Sequence, residues 1–280
     1  LIALTALTMV AFASNSLLCR VALKQAHIAA ADFTTIRLVS GAVVLGLLAR
    51  RAGATRTLGG SWTSALALLT YAAGFSFAYV SLSAATGALF LFGTVQVTMI
   101  GRGWWCGERF TSGQRLGLLL ALSGLIGLLL PGLTAPPLVG SLLMLFAGAA
   151  WGVYSLRGKT AGPPLPTTAG NFLRAVPAAV ALNLVLHDPI SADAVGWGCA
   201  VASGAVSSGL GYAVWYTVLP ALKATQAATV QLSVPVLAAL GGVVFLGEPI
   251  TLRLLLASAA VLGGILLVLL EKRSPAAVGR

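Results

Sequence analysis

The residues of this 280-residue chain that could do chemistry sit inside apolar runs, and their chemistry is that of binding. Ser208, Tyr212, Trp215 and Tyr216 recur at spacings that put them on one helical stripe. Trp151 and Tyr154 share a second face beside Ser155, where Gly148 and Gly152 allow another helix to approach closely. Ser76, Tyr79 and Ser83 form a third stripe. Such rings bind an aromatic or apolar side chain by dispersion and edge contacts, and hold a cation moderately well. Amides add the orientation that rings lack: Asn15, Gln96, Asn171 and Gln231 are costly in hydrocarbon without a polar partner, and their donors and acceptors suit a zwitterion. Pro235 removes a backbone hydrogen bond from its helix and can expose a carbonyl. Two cations complete the set. Ile36-Arg37-Leu38-Val39 and Leu173-Arg174-Ala175-Val176 align at a shift of 137 residues, so Arg37 and Arg174 can each line a vestibule, attract a carboxylate or close one side of a pathway.

Plainer accounts compete with each of these. Trp62, Trp104, Trp105 and Trp197 fall at span ends and suit an interfacial aromatic belt. Amides and hydroxyls also serve helix packing, a proline can merely kink a helix, and buried arginines can snorkel or bond backbone carbonyls.

Bond-making chemistry lacks its parts. His27 and His187 have no ligand-spaced partners, and Cys19, Cys106 and Cys199 show neither metal nor redox spacing, so no metal, cofactor or disulfide is expected. Gly158-Lys159-Thr160 resembles the end of a phosphate-binding loop, but that loop needs a glycine where Val153 stands. A channel filter of repeated carbonyls or a charged ring is not visible. A membrane-embedded enzyme acting on lipid or isoprenoid groups is the alternative from another class.

Helices in a bilayer must position these residues. Hydrophobic residues make up 58% of the chain and charged ones 8%, with 33 Gly and 12 Pro, which excludes an ordinary soluble domain. A net charge of +11 would point to nucleic acid in a soluble protein; here the cations lie in short gaps between apolar runs. An all-α polytopic protein is expected, with ten spans near 1–19, 32–49, 62–82, 84–103, 114–130, 138–157, 167–186, 194–218, 221–246 and 251–270. Pro131-Gly132, Pro136-Pro137, Pro163-Pro164 and Asp188-Pro189 mark breaks between them. With the first helix starting in the cytoplasm, the inner side holds Arg50, Arg51, Arg56, Arg102, Arg109, Arg115, Arg157, Lys159, Lys223, Lys272, Arg273 and Arg280; only Arg20, Lys24 and Arg253 lie outside. Both termini are then cytoplasmic, in a bacterial inner membrane. The chain starts at Leu1 inside an apolar run, so a few native residues are expected to be missing.

The two halves resemble one another. Gly107, Glu108 and Thr111 reappear as Gly247, Glu248 and Thr251, a shift of 140 residues that also brings Gly101 onto Gly241, Ala88 onto Ala228 and Gly124 onto Gly264. Residues 1–132 and 133–280 are therefore expected to be five-helix repeats, and five being odd, the second is inverted. Carriers built this way hold a central site that opens alternately to each side.

Each half resembles the EamA repeat of the drug/metabolite transporter superfamily. The resemblance rests on Ala227-Ala228 to Pro235, Leu246-Gly247-Glu248-Pro249-Ile250-Thr251 and Gly263-Gly264 in the second half, and on Phe12-Ala13-Ser14-Asn15 and Arg37 in the first. It implies a ten-helix carrier that exports metabolites, closest to the YddG type of aromatic amino acid exporter, with amino acids leading and drugs or nucleotide sugars as other solute classes. Val95 stands where the first copy would match Pro235, and Phe12 replaces the usual tryptophan. Asp32, Glu108, Asp188, Asp193, Glu248 and Glu271 all fall at span ends or in loops, which argues for facilitated uniport rather than proton exchange. A monomer whose partners are a small molecule and the lipid bilayer, and not nucleic acid, is expected.

Overall fold

The computed structural model describes residues 1–53, 58–105, 111–130, 135–158, 160–186, 193–222, 230–231 and 233–270. No strand occurs among the described residues. The helices are α1 (Ile2–Lys24), α2 (Ala30–Arg51), α3 (Trp62–Tyr79), α4 (Ala84–Trp105), α5 (Ser112–Leu129), α6 (Leu138–Gly158) and α7 (Pro164–Val185). A composite helix α8 follows, made of Ala194–Ala202, the π-helical Ser203–Leu210 and Gly211–Val218, then α9 (Ser233–Leu246) and α10 (Leu252–Leu270). Of the described helices, α1, α2, α4, α6 and α7 are long and apolar enough to cross a membrane, and α9 and α10 hold shorter apolar stretches.

Local chemistry sets the helix starts. Ser61 accepts from the Ser64 amide at the head of α3, Thr111 and Gln114 form a capping box before α5, and Asp193 accepts from the Gly196 amide at α8. Pro164 opens α7, where its missing N–H costs no bond. The α9–α10 turn needs Gly247, whose φ is +62°, and there the Glu248 amide closes back onto the Gly242 carbonyl.

One expectation changes. The first helix runs on to Lys24, so Arg20 and Lys24 lie in its last turns and not in a loop. There Glu248 and the Tyr79 carbonyl meet the charge of Arg20. Pro235 is buried within α9. The Gly107-Glu108 turn, Cys106, Pro131-Gly132, Lys159, His187, Asp188-Pro189 and Ala227-Ala228 lie outside the described residues.

Packing is organised in exchanging pairs. Helix α2 packs on α7, α4 on α9 and α5 on α10; α3–α6 is matched by α1–α8, α4–α6 by α1–α9, and α3–α7 by α2–α8. Replacing each helix by the one five places on carries this pattern onto itself. Small residues let the rods touch: a Cβ on Gly148 would lie 2.6 Å from the Leu91 carbonyl oxygen. Around the periphery Val43, Leu66, Phe146, Leu184, Val244 and Leu256 are exposed, a surface suited to lipid and not to water.

Candidate functional site

Arg37 is the organising residue. It lies two turns into α2 and is 1% exposed. Its Nε donates to Ser208 Oγ at 2.9 Å, and Nη2 donates to the hydroxyls of Tyr71 at 2.9 Å and Tyr212 at 3.1 Å. The guanidinium carbon lies 5.0 Å from the ring centroids of both Tyr71 and Phe75. Hydroxyl dipoles and ring faces thus solvate the cation, but no carboxylate pairs with it: among the described residues the one ion pair is Arg20–Glu248. Nη1 has no hydrogen-bond partner.

The π-helical segment of α8 makes this arrangement possible. It brings the α8 backbone against α2, so that a Cβ on Gly204 would overlap the Arg37 carbonyl oxygen and Ser40 Oγ. From that contact Ser208 and, one turn on, Tyr212 both reach the guanidinium. Widened π turns inside α-helices often mark functional sites, because they re-aim side chains.

Beside Arg37 lies a small cavity lined by Phe12, Asn15, Tyr71, Phe75, Leu91, Phe92, Trp151 and Tyr212. Its volume of about 10 Å³ has room for a single water. Rings from five helices wall it: Trp151 lies 4.7 Å from Tyr212, 4.9 Å from Tyr71 and 5.6 Å from Phe12, and Phe12 lies 5.9 Å from Trp215, all centroid to centroid. Asn15 donates to the Tyr71 hydroxyl and accepts from Ser203, while the Trp151 indole donates to Gln231 at 3.4 Å. The Ser203–Asn15 bond and the contacts of Trp151 with Phe12 and Tyr71 join the first half of the chain to the second.

Opposite ends of the bundle are tied differently. At one, Arg20 Nε meets Glu248 Oε1 at 3.0 Å, Arg20 Nη1 donates to the Tyr79 carbonyl, and Glu248 Oε2 accepts from the Ala84 amide at 2.7 Å. At the other, Arg174 Nη1 donates to the carbonyls of Gly59 at 2.6 Å and Gly170 at 2.9 Å, and Asn171 Oδ1 accepts from the Ser61 amide. Arg157 donates there to Ser64 Oγ.

Asn15, Trp151, Ser208, Tyr212, Trp215 and Gln231 thus gather on the cavity or on its first contacts. Tyr154 and Tyr216 pair with each other at 5.7 Å, toward the Arg174 end, where Tyr154 accepts from Asn171. Gln96 is buried in α4. The α3 stripe is elsewhere: Ser76 donates to the Ala72 carbonyl, Tyr79 to the Ala84 carbonyl, and Ser83 accepts from the Thr86 amide at the head of α4. The α3 residues that do reach the cavity, Tyr71 and Phe75, are two and one turns before Tyr79 on the same face; that spacing of four was the available signal. Among the described residues, no three His, Cys, Asp or Glu side chains gather as a metal site.

An uncharacterized protein of Pseudomonas aeruginosa is 56% identical over 276 residues, covering 98% of this chain and 96% of its own length. An uncharacterized transporter of Archaeoglobus fulgidus is 29% identical over 172 residues, 59% of this chain and 60% of that one. Residues 138–270 match the EamA-like transporter family. That match spans the second half of the chain. A protein of known crystal structure, 18% identical, shares the fold with a TM-score of 0.66 over 94% of this chain and 96% of its own. The family match, the transporter relative and the apolar helices support a multi-pass membrane transporter of a small molecule, so the cavity beside Arg37 is the site whose chemistry must be explained.

Proposed function

We propose that this EamA-like transporter exports small amphiphilic metabolites, amino acids and especially aromatic ones, by alternating access between two inverted five-helix repeats, residues 1–132 and 133–280. The observation that carries the reading is the ring-walled cavity beside Arg37, whose walls come from both halves: Phe12, Asn15 and Tyr71 from one, Trp151 and Tyr212 from the other. A site shared between repeats is what alternating access requires. The exchange symmetry of the helix contacts and the family match to 138–270, α6 to α10 alone, support the same division. The aromatic walls favour a YddG-type substrate. The excess of cations in the loops taken as inner favours cytoplasmic termini, with the Arg20–Glu248 end outside, in a bacterial inner membrane. The carrier works by uniport, since neither Asp32 nor Glu248 lines the cavity: Asp32 Oδ1 accepts from Asn183, and Glu248 meets Arg20 and the Ala84 amide at the outer end; the monomer is the expected unit.

Purified protein in liposomes, offered labelled amino acids, sugars and nucleotides, tests the reading. Aromatic amino acids should cross chemically unchanged, and Trp151→Ala should slow them by roughly tenfold or more. Entry of a sugar or nucleotide but no amino acid, or release of a chemically altered product, would overturn it. An imposed pH gradient that drives uphill uptake would overturn uniport.

A further inference from the structure

We propose that the free Nη1 of Arg37 is an anion seat and that the recognised solute is an aromatic monocarboxylate, whose amino group, where it has one, contributes little. This rests on the carrier reading above and sharpens its substrate class.

Charge is the first argument. An arginine stays protonated in any protein environment, so Arg37 brings a full positive charge to a point 1% exposed. No described carboxylate pairs with Arg37: Asp32 Oδ1 accepts from Asn183 while its buried Oδ2 has no partner, Asp193 accepts from the Gly196 amide, and Glu248 is held by Arg20 and the Ala84 amide. Glu108, Asp188 and Glu271 lie outside the described residues. A buried cation without a counter-ion is costly in a membrane protein, and such residues mark substrate paths.

Geometry is the second. Nε and Nη2 are spent on Ser208, Tyr71 and Tyr212, which fixes the guanidinium plane and leaves the Nη1 hydrogens unused. A carboxylate oxygen is the acceptor that forms the strongest bond there. Tyr71, Phe75 and Tyr212 each touch both Arg37 and the cavity, so a carboxylate on Nη1 lies within one short linker of a ring inserted beside Trp151.

The ammonium is the third. The cavity wall offers one amide, Asn15, and both its ends are taken by Tyr71 and Ser203. A carboxylate neutralises the site, a zwitterion leaves its charge at +1, and an amine adds a second cation beside the first. Like charges in this low-dielectric surrounding repel strongly.

Three probes separate these cases: 3-phenylpropanoate, L-phenylalanine and phenethylamine share a ring and chain length and differ in their charged groups. Binding to the full-length protein in nanodiscs is read by quenching of its tryptophan fluorescence and by thermal shift, and transport by uptake into liposomes. The expected order puts 3-phenylpropanoate equal to or tighter than L-phenylalanine, with phenethylamine weaker by about tenfold to hundredfold. Arg37→Gln should abolish that preference, and the ligand series on the unaltered protein stands even if this variant fails to fold. Phenethylamine binding as well as 3-phenylpropanoate overturns the seat. Failure of 3-phenylpropanoate to bind while L-phenylalanine is transported overturns the seat and leaves the amino acid reading standing. Uptake of the acid without uptake of L-phenylalanine supports the seat and sinks that reading. No binding of any probe overturns the seat.

Discussion

Arg37 and Arg174 occupy matching places in the two halves, yet their surroundings have little in common. Arg174 is half-buried and spends Nη1 on the backbone carbonyls of Gly59 and Gly170, which ties the segment before α3 to α7. Backbone carbonyls are fixed acceptors, so this arginine is held in one place. Arg37 is enclosed by three hydroxyls and two ring faces, and its own Nη1 meets no acceptor. Hydroxyls turn, and ring faces impose little direction. The first arginine is a strut, and the second is a charge whose shell can rearrange around an incoming anion.

The contrast breaks most sharply under substitution. Arg37→Met should cut transport by about a hundredfold or more, since bonds to a charged group are each worth about 1.5–3 kcal/mol. Its thermal stability should hold or rise, because an unpaired buried charge is costly and a packed apolar side chain is not. Arg174→Met should do the reverse: a melting temperature lower by several degrees, with transport per folded molecule within about threefold of the parent. Uptake and thermal unfolding measured on the same preparations decide it. Equal losses of transport in both variants would erase the distinction.

The two ends of the bundle extend the comparison. Glu248→Gln removes the charge that binds Arg20 and weakens the acceptor for the Ala84 amide, while the opposite end keeps its neutral ties to Gly59 and Ser61. The closed form should lose about 1–2 kcal/mol, making the form open at that end roughly tenfold more populated. In a cysteine-free background, Ser16→Cys reports this, because Ser16 is fully buried on α1 between Asn15 and Arg20. Its labelling by a membrane-impermeant maleimide should speed up by about that factor, and an unchanged rate would show that the ion pair holds nothing shut.

Much of this was legible in the chain. Helix positions follow from apolar length and from turn residues, which is why each expected span meets a helix. Asn15, Trp151 and Tyr212 stood out because a polar or aromatic group deep in an apolar run needs a partner. Tyr71 and Phe75 did not, since the pattern of a lipid-bathed helix leaves its rotation open: Phe75 is buried against Arg37 while Phe146, alike in composition, is 67% exposed. The shell of Arg37 is assembled from Tyr71 and Ser208, 34 and 171 residues away, and from a π turn that no local residue pattern announces.

The smallest effects test whether the hydroxyls around Arg37 differ from hydroxyls elsewhere in the bundle. Tyr212→Phe keeps the ring against Trp151 and removes one acceptor of two on Nη2, so transport should fall by about three- to tenfold. Ser76→Ala removes a hydroxyl that is as deeply buried but donates only to the Ala72 carbonyl of its own helix. Such back-bonds add little to a helix, and the serine's loss should change uptake by less than about twofold. Both variants delete one buried hydroxyl, so a difference between them isolates what the guanidinium contributes. If Ser76→Ala slows uptake as much as Tyr212→Phe, the binding site extends along α3 toward the Arg20 end, and the seat at Arg37 is only part of it.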